Sequence, residues 1–268
     1  MKSILFARFF YALALMIAVI GTLAIVPVHA AAPAAKPQDK AKLASILKNW
    51  EAKSEHLNSL EISVVRKDVN PAWGDPEVFH GQAFLEKPDR ARLDFWKVVE
   101  QPGKAARRED QERVIFTGKS VLQYIYPTKQ IYVYSLNKQQ QMQALDEGPL
   151  PFLFNFNAKK ASERYTFEIE NENQSTYLLK VEPKLAADRE AFSMVHLWLN
   201  KKTFFPDKLW LIQPNGKDRK EYQFPSIKAK DRLDPNLFTG KKLEGWTVVK
   251  DPGPGERSAQ RVQPPRRD

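Results

Sequence analysis

The chain has 268 residues, 43% of them hydrophobic, no cysteine, and a formal net charge of +10. That length is ample for one large domain with its own core. The missing thiols exclude disulfides, thiolate metal sites and cysteine nucleophiles, so the fold rests on packing alone.

Residues 1–30 read as a targeting segment. Lys2 and Arg8 form a positive start, Phe9 to Val28 is apolar apart from Thr22, and Val28-His29-Ala30 offers small residues for cleavage after Ala30. An uncleaved anchor is the rival reading, because a run of about 20 apolar residues can span a bilayer. Pro27 and the Ala/Pro linker (31–38) favour processing. Either way the chain is expected to be exported to the periplasm. Loss of Lys2 and Arg8, with no acid in the segment, leaves a mature charge of +8. A basic exported protein suits anionic surfaces, or is simply kept soluble by its charge. Nucleic acid is not an expected partner, since export removes the opportunity and no helix gathers the Lys and Arg residues.

From Asp39 the chain predicts a helix of about 17 residues. Leu43, Ile46, Leu47 and Trp50 fall at i, i+3, i+4 and i+7, one apolar stripe that must dock on something. The period then changes to two. Ile62 and Val64 begin it, Phe79, Ala83 and Leu85 share a face, and Ala91, Leu93 and Phe95 alternate with Arg92, Asp94 and Trp96. Two hairpins follow, through Thr117-Gly118-Lys119 and Pro127-Thr128-Lys129. Tyr124 and Tyr126 share a face of one strand and Tyr132 and Tyr134 a face of the next, for cross-strand aromatic pairing or for lining a pocket mouth. Segment 137–162 interrupts the meander with an apolar knot holding Phe152, Leu153, Phe154 and Phe156, framed by Pro149 and Pro151. It reads as a core plug or a mobile lid. Further strands are predicted near 177–181, 195–199, 205–213 and 218–224, with 226–233 as one more. The total is ten or eleven, joined by tight turns and therefore antiparallel. Residues 251–268 are rich in Pro, Gly and charge and read as a disordered tail.

A sheet of this size has an apolar face that must be covered, and it tends to curl. Only the stripe Leu43 to Trp50 and the knot 150–156 are free to cover it. If they fill the curl fully it is a core; if loosely, it is a cavity for an apolar ligand.

No constellation for chemistry stands out. The histidines His29, His56, His80 and His196 have no metal-ligand spacing, and Glu168, Glu170 and Glu172 read as a solvated strand face. There is no nucleophile elbow, P-loop or dinucleotide fingerprint. Neither a metal, a cofactor nor a catalytic residue is expected.

The order amphipathic helix, strands, G-x-x-x-x-x-K-P-x-x-x-R (Gly81, Lys87, Pro88, Arg92), hairpin LQYIYPTKQIYVY, apolar PLPFLFN and D-P-N-L-F (234–238) resembles the LolA family of periplasmic lipoprotein carriers, in a variant branch. The resemblance covers most of residues 40–250. It implies a mainly β fold over 39–250: one strongly curved antiparallel sheet, an incomplete barrel under a helical lid. It implies a monomer that binds lipid or lipoprotein acyl chains without chemistry and passes them between membrane-bound donor and acceptor proteins. Carried over, the lipid-binding and lid residues are Leu43, Leu47, Trp50, Phe84, Phe95, Tyr124, Phe152 and Phe154. The residue before the proline, which holds the lid closed in the family, is Lys87 where arginine is usual, with Arg90 or Arg92 as substitutes. Lysine lacks the planar fork of arginine. The alternative within the same fold is an envelope-stress sensor that contacts a signalling protein.

Overall fold

The computed structural model describes residues 37–72, 74–138, 152–154 and 156–251. The targeting segment, nearly all of the linker, Pro149 and Pro151, and the tail beyond Asp251 lie outside the described residues.

Helix α1 (Pro37–Glu55) leads into six strands: β1 (Ser59–Val69), β2 (Glu77–Glu86), β3 (Arg90–Gln101), β4 (Lys104–Thr117), β5 (Ser120–Ile125) and β6 (Gln130–Ser135). After the knot come α2 (Ala158–Arg164), β7 (Tyr165–Glu172), β8 (Thr176–Pro183), the single turn α3 (Ala186–Arg189), β9 (Met194–Asn200), β10 (Pro206–Ile212), β11 (Arg219–Lys230), a 3-10 turn at Pro235–Phe238, and β12 (Thr247–Lys250). Among the described residues twelve strands form one curved, unclosed sheet in the order β12-β6-β5-β4-β3-β2-β1-β11-β10-β9-β8-β7. Every neighbouring pair is antiparallel except β12 with β6.

Three features depart from the sequence pattern, each for a physical reason. Residues 218–233 form one strand up to Lys230 rather than two, because Pro225 sits where the β1–β11 register shifts, and a bulge tolerates a missing N–H in mid-strand. Strands β3 and β4 run well beyond their apolar cores into an exposed hairpin turning at Pro102-Gly103. Charge there replaces apolar alternation: Lys97 bonds Glu77 at 2.6 Å, Arg108 bonds Asp110 at 2.6 Å, and the Arg108 guanidinium lies 3.9 Å from the Trp96 ring centroid. The tyrosine pairing is absent, since Tyr124 opposes Ile131 and Tyr132 opposes Gln123.

The last of these follows from the two faces of the sheet. The inner face, toward α1, carries the main core: Leu60, Ile62 and Val64 of β1, Ala83 and Leu85 of β2, Leu197 and Leu199 of β9, and their neighbours. The outer face carries a second, smaller cluster of Ile115, Tyr124 and Ile131, packed with Leu122, Val133, Leu243 and Trp246. That cluster exists because residues 231–246 cross the outer face from β11 to reach the β6 edge. Gly240 passes directly over Leu122, where an added Cβ would stand 2.4 Å from its Cδ2. A side chain there would have to push Leu122 aside.

Candidate functional site

The covering of the inner face is built from α1, the knot and the start of α2. Asp39 lies in the first turn of α1 and Lys53 in the last, the signs that suit a helix dipole. The helix begins before Asp39, which therefore supports its first turn from inside rather than capping it. Ile46, Leu47 and Trp50 are buried, with Leu43 half-buried beside them. Trp50 stacks flat on Phe156, ring centroids 3.7 Å apart and planes 4° off parallel, and Phe152 lies 6.4 Å away. Glu51 ties helix to knot: its Oε1 accepts from Asn157 Nδ2 at 2.6 Å and from the Ala158 amide at 3.3 Å. Asn157 in turn caps α2 by accepting from the Lys160 amide at 2.8 Å. An ion pair from Lys42 to Glu172 of β7 fixes the other end of α1.

Lys87 closes this assembly. It ends the β2 side of the β2–β3 turn, and its ammonium donates to the carbonyl oxygens of Ser54 at 3.0 Å and Glu55 at 3.2 Å. Those are terminal carbonyls of α1, left without intrahelical donors and carrying the negative end of the helix dipole. The same ammonium stands 5.6 Å from the Phe154 ring centroid. One cation thus touches both pieces of the cover. Burial lowers its pKa, and the Glu55 carboxylate opposes that shift.

Of the residues singled out from the sequence, Leu43, Leu47, Trp50, Phe95, Phe152 and Phe154 come together around the main core. Phe84 and Tyr124 do not. Phe84 opposes Glu61 and Arg92, on the outer face, one residue out of phase with Leu85. Tyr124 also faces outward, where its hydroxyl accepts from the Lys241 amide and donates to the Lys241 carbonyl, both at 2.9 Å. Burial raises its pKa, against the pull of the Lys241 hydrogen bond.

Arg90 and Arg92 stand apart from α1 and the knot. Arg90 pairs with Glu86 and lies 5.3 Å over the Phe238 ring. Arg92 bonds Asp94 at 2.8 Å and reaches the Leu237 carbonyl at 3.4 Å. With Glu86, which accepts from the Leu233 amide at 2.8 Å, they fasten the outer crossing rather than α1. Sequence reasoning missed this crossing because its anchors are single residues in an irregular segment. The motif D-P-N-L-F was the visible sign: Asp234 caps the 3-10 turn whose Phe238 is buried.

The sequence model of one protein family, described as "Outer membrane lipoprotein carrier protein LolA", matches residues 55–241. Among solved structures, an uncharacterized conserved protein from Thermus thermophilus is 13% identical with a TM-score of 0.45, the alignment covering 78% of this chain and 99% of that one. A LolA superfamily protein from Nitrosomonas europaea is 12% identical with a TM-score of 0.36, covering 74% and 97%. The MucA/MucB complex of Pseudomonas aeruginosa gives 16% identity, a TM-score of 0.39, and coverage of 74% and 61%. No curated protein matches the chain.

Proposed function

We propose, from the premise that this chain belongs to the LolA family of outer membrane lipoprotein carriers, that it is an exported, non-enzymatic carrier that takes acyl chains onto the inner face of its sheet when the lid of α1 and the knot lifts. The observation that carries this reading is the way the lid is held. Its aromatic side chains fill the inner face, while among the described residues polar fastenings stand near the ends of α1, Lys87 on its last carbonyls and Lys42 on Glu172, with Glu51 on Asn157 joining the helix to the knot.

The magnitudes favour exchange rather than permanent closure. Withdrawing Ile46, Leu47, Trp50, Phe152, Phe154 and Phe156 from the inner face forfeits roughly 1.5–3 kcal/mol each, or about 9–18 kcal/mol. Burying a 16-carbon chain returns about 0.8 kcal/mol per methylene, about 12 kcal/mol in all. The two sums are close, so lid and cargo compete for one surface. A partner protein with a slightly better site can then withdraw the cargo without any chemical step.

Native mass spectrometry of the mature protein purified from its own cell envelope tests the reading. A carrier shows a population heavier by the mass of one acylated molecule, and mild delipidation removes it. A stable protein partner with no lipid points instead to the regulatory role on the same fold. A protein that neither retains nor takes up acylated molecules is not a carrier.

A further inference from the structure

Seven residues along β1 from Ser59, the end of the strand nearest Lys87, the inner face stops being apolar. Arg66 points inward there, between Phe79 of β2 and Tyr222 of β11. Its side chain is only 6% exposed. The guanidinium lies between two rings, 4.3 Å from the Phe79 centroid and 4.5 Å from that of Phe95. Gly81 makes that stacking feasible: a Cβ there would meet Phe95 Cδ1 at 2.7 Å. The glycine of the sequence motif therefore acts through Phe95 on Arg66.

Four more polar groups surround it. Lys220 Nζ is 3.7 Å from Asp68 Oδ2, Glu112 Oε2 is 4.0 Å from Arg66 Nη1, and the buried phenol of Tyr222 stands across the strand. The cluster is rich in donors and poor in accepted bonds. Arg66 Nε is ion-paired with Asp68 Oδ1 at 2.9 Å, but Nη1 is buried with no hydrogen-bond partner, its nearest carboxylate oxygen being Glu112 Oε2 at 4.0 Å. One Glu112 oxygen is taken by Gln123 at 2.7 Å. An arginine alone offers five N–H groups and a lysine three, and a buried donor left unmatched forfeits the hydration it had in water. Such a deficit inside a binding face calls for an acceptor from outside the chain.

The charges decide which acceptor. Arg66 and Lys220 are balanced by Asp68 and Glu112, so no net positive charge remains to hold a full anion in a low-dielectric place. An uncharged oxygen acceptor completes the donors without adding charge. Resting on the carrier reading above, we infer that Arg66, Lys220 and Tyr222 form a polar pole that receives the ester or amide carbonyl of an acylated molecule, while its hydrocarbon lies along the apolar tract toward the lid. The length suits this: Ser59 to Arg66 spans roughly 23 Å at strand rise, more than the roughly 15 Å that the chains of one bilayer leaflet occupy.

The test uses a matched pair of probes on the full mature chain: 1-palmitoylglycerol, which has the ester carbonyl, and 1-hexadecylglycerol, the ether that lacks it. Wild type is expected to bind the ester about tenfold tighter, the factor that one hydrogen bond of about 1.4 kcal/mol provides. Arg66→Met should erase that preference and leave the ether affinity within about twofold. Tyr222→Phe, which keeps the ring and its packing, should reduce the preference several-fold and covers the case in which Arg66→Met does not fold. Equal binding of ester and ether by wild type overturns the polar pole and leaves the carrier reading intact. So does an unchanged preference in folded Tyr222→Phe and Lys220→Met, or tighter binding of palmitic acid than of its glycerol ester. Binding of none of the probes defeats the carrier reading itself.

Discussion

Lys87 and Ser54 are joined by one ammonium-to-carbonyl hydrogen bond of 3.0 Å, and through it the end of β2 holds the end of α1. This contact stands at the C-terminus of α1, where the helix dipole and the terminal carbonyls both reward a cation.

Replacing it should loosen the lid without unfolding the sheet. Lys87→Leu is expected to lower stability by about 1–2 kcal/mol, the range for a charge-assisted bond in a partly exposed setting. Amide hydrogen exchange in α1 should quicken while β1 and β2 stay protected. Transfer of an acyl probe to acceptor vesicles should speed up several-fold. Transfer kinetics equal to wild type would remove Lys87 from the latch role.

Gly81→Ala tests the packing beneath Arg66. The new methyl meets Phe95 side-chain carbons at 2.7 and 2.8 Å and the Asp94 carbonyl at 2.9 Å. The ring must move off its site, and the expected loss is about 1–3 kcal/mol, read from urea denaturation. A variant as stable as wild type would mean that Phe95 shifts freely and does not fix the guanidinium.

Tyr124→Phe separates the outer crossing from the inner face. It deletes both bonds to Lys241 while keeping the ring against Trp246, 6.2 Å between centroids. Exchange should quicken in 241–250, including the β12–β6 pairing, with acyl binding unchanged. A loss of acyl affinity would return Tyr124 to the binding face.

Lys220 makes the fold pH-dependent in a direction that can be stated. Burial, more than any other influence, depresses its pKa from the ordinary 10.5 to about 8, with Asp68 and Glu112 working against that shift and Arg66 with it. Below pH 8 the ammonium is charged in both states and the fold bears the full penalty. As pH rises above 8 the folded state releases the proton before the unfolded chain does, so stability rises. Burial of the Tyr222 phenol raises its pKa and acts oppositely above its ordinary value of 10.0, which confines the clean window to pH 8–10. Wild type should gain on Lys220→Met across that window by on the order of 2 kcal/mol, measured as the difference between their urea midpoints. A constant difference from pH 7 to 10 would mean that Lys220 is solvated.

Much of this was legible in the chain because burial wrote it there. The stripe through Trp50 and the alternation of Ala83 and Leu85 report faces that must meet apolar partners, and Lys87 before Pro88 marks a strand end. Phe84 and Tyr124 show the limit. An aromatic residue on a strand signals burial but not against which face, and the outer face became a burial site only because 231–246 crosses it. The strand twelfth in order, β12, carries Val248 at 36% exposure and joins the edge of β6 through backbone bonds, which leave little trace in side-chain pattern. Arg66 was hidden for the converse reason: it is in phase with Ile62 and Val64, but a charge there reads as the end of the apolar face, and its burial depends on Phe79, Phe95 and Tyr222, which are distant in sequence.

The central claim, that cargo and lid compete for one inner face, is tested most directly by hydrogen exchange of the mature protein with and without a saturating 16-carbon acyl probe. The account expects residues 43–55 to exchange faster once the probe is bound, with β1, β2 and β9 unchanged or slower. Binding that leaves α1 as protected as before, or slows it, would contradict the account.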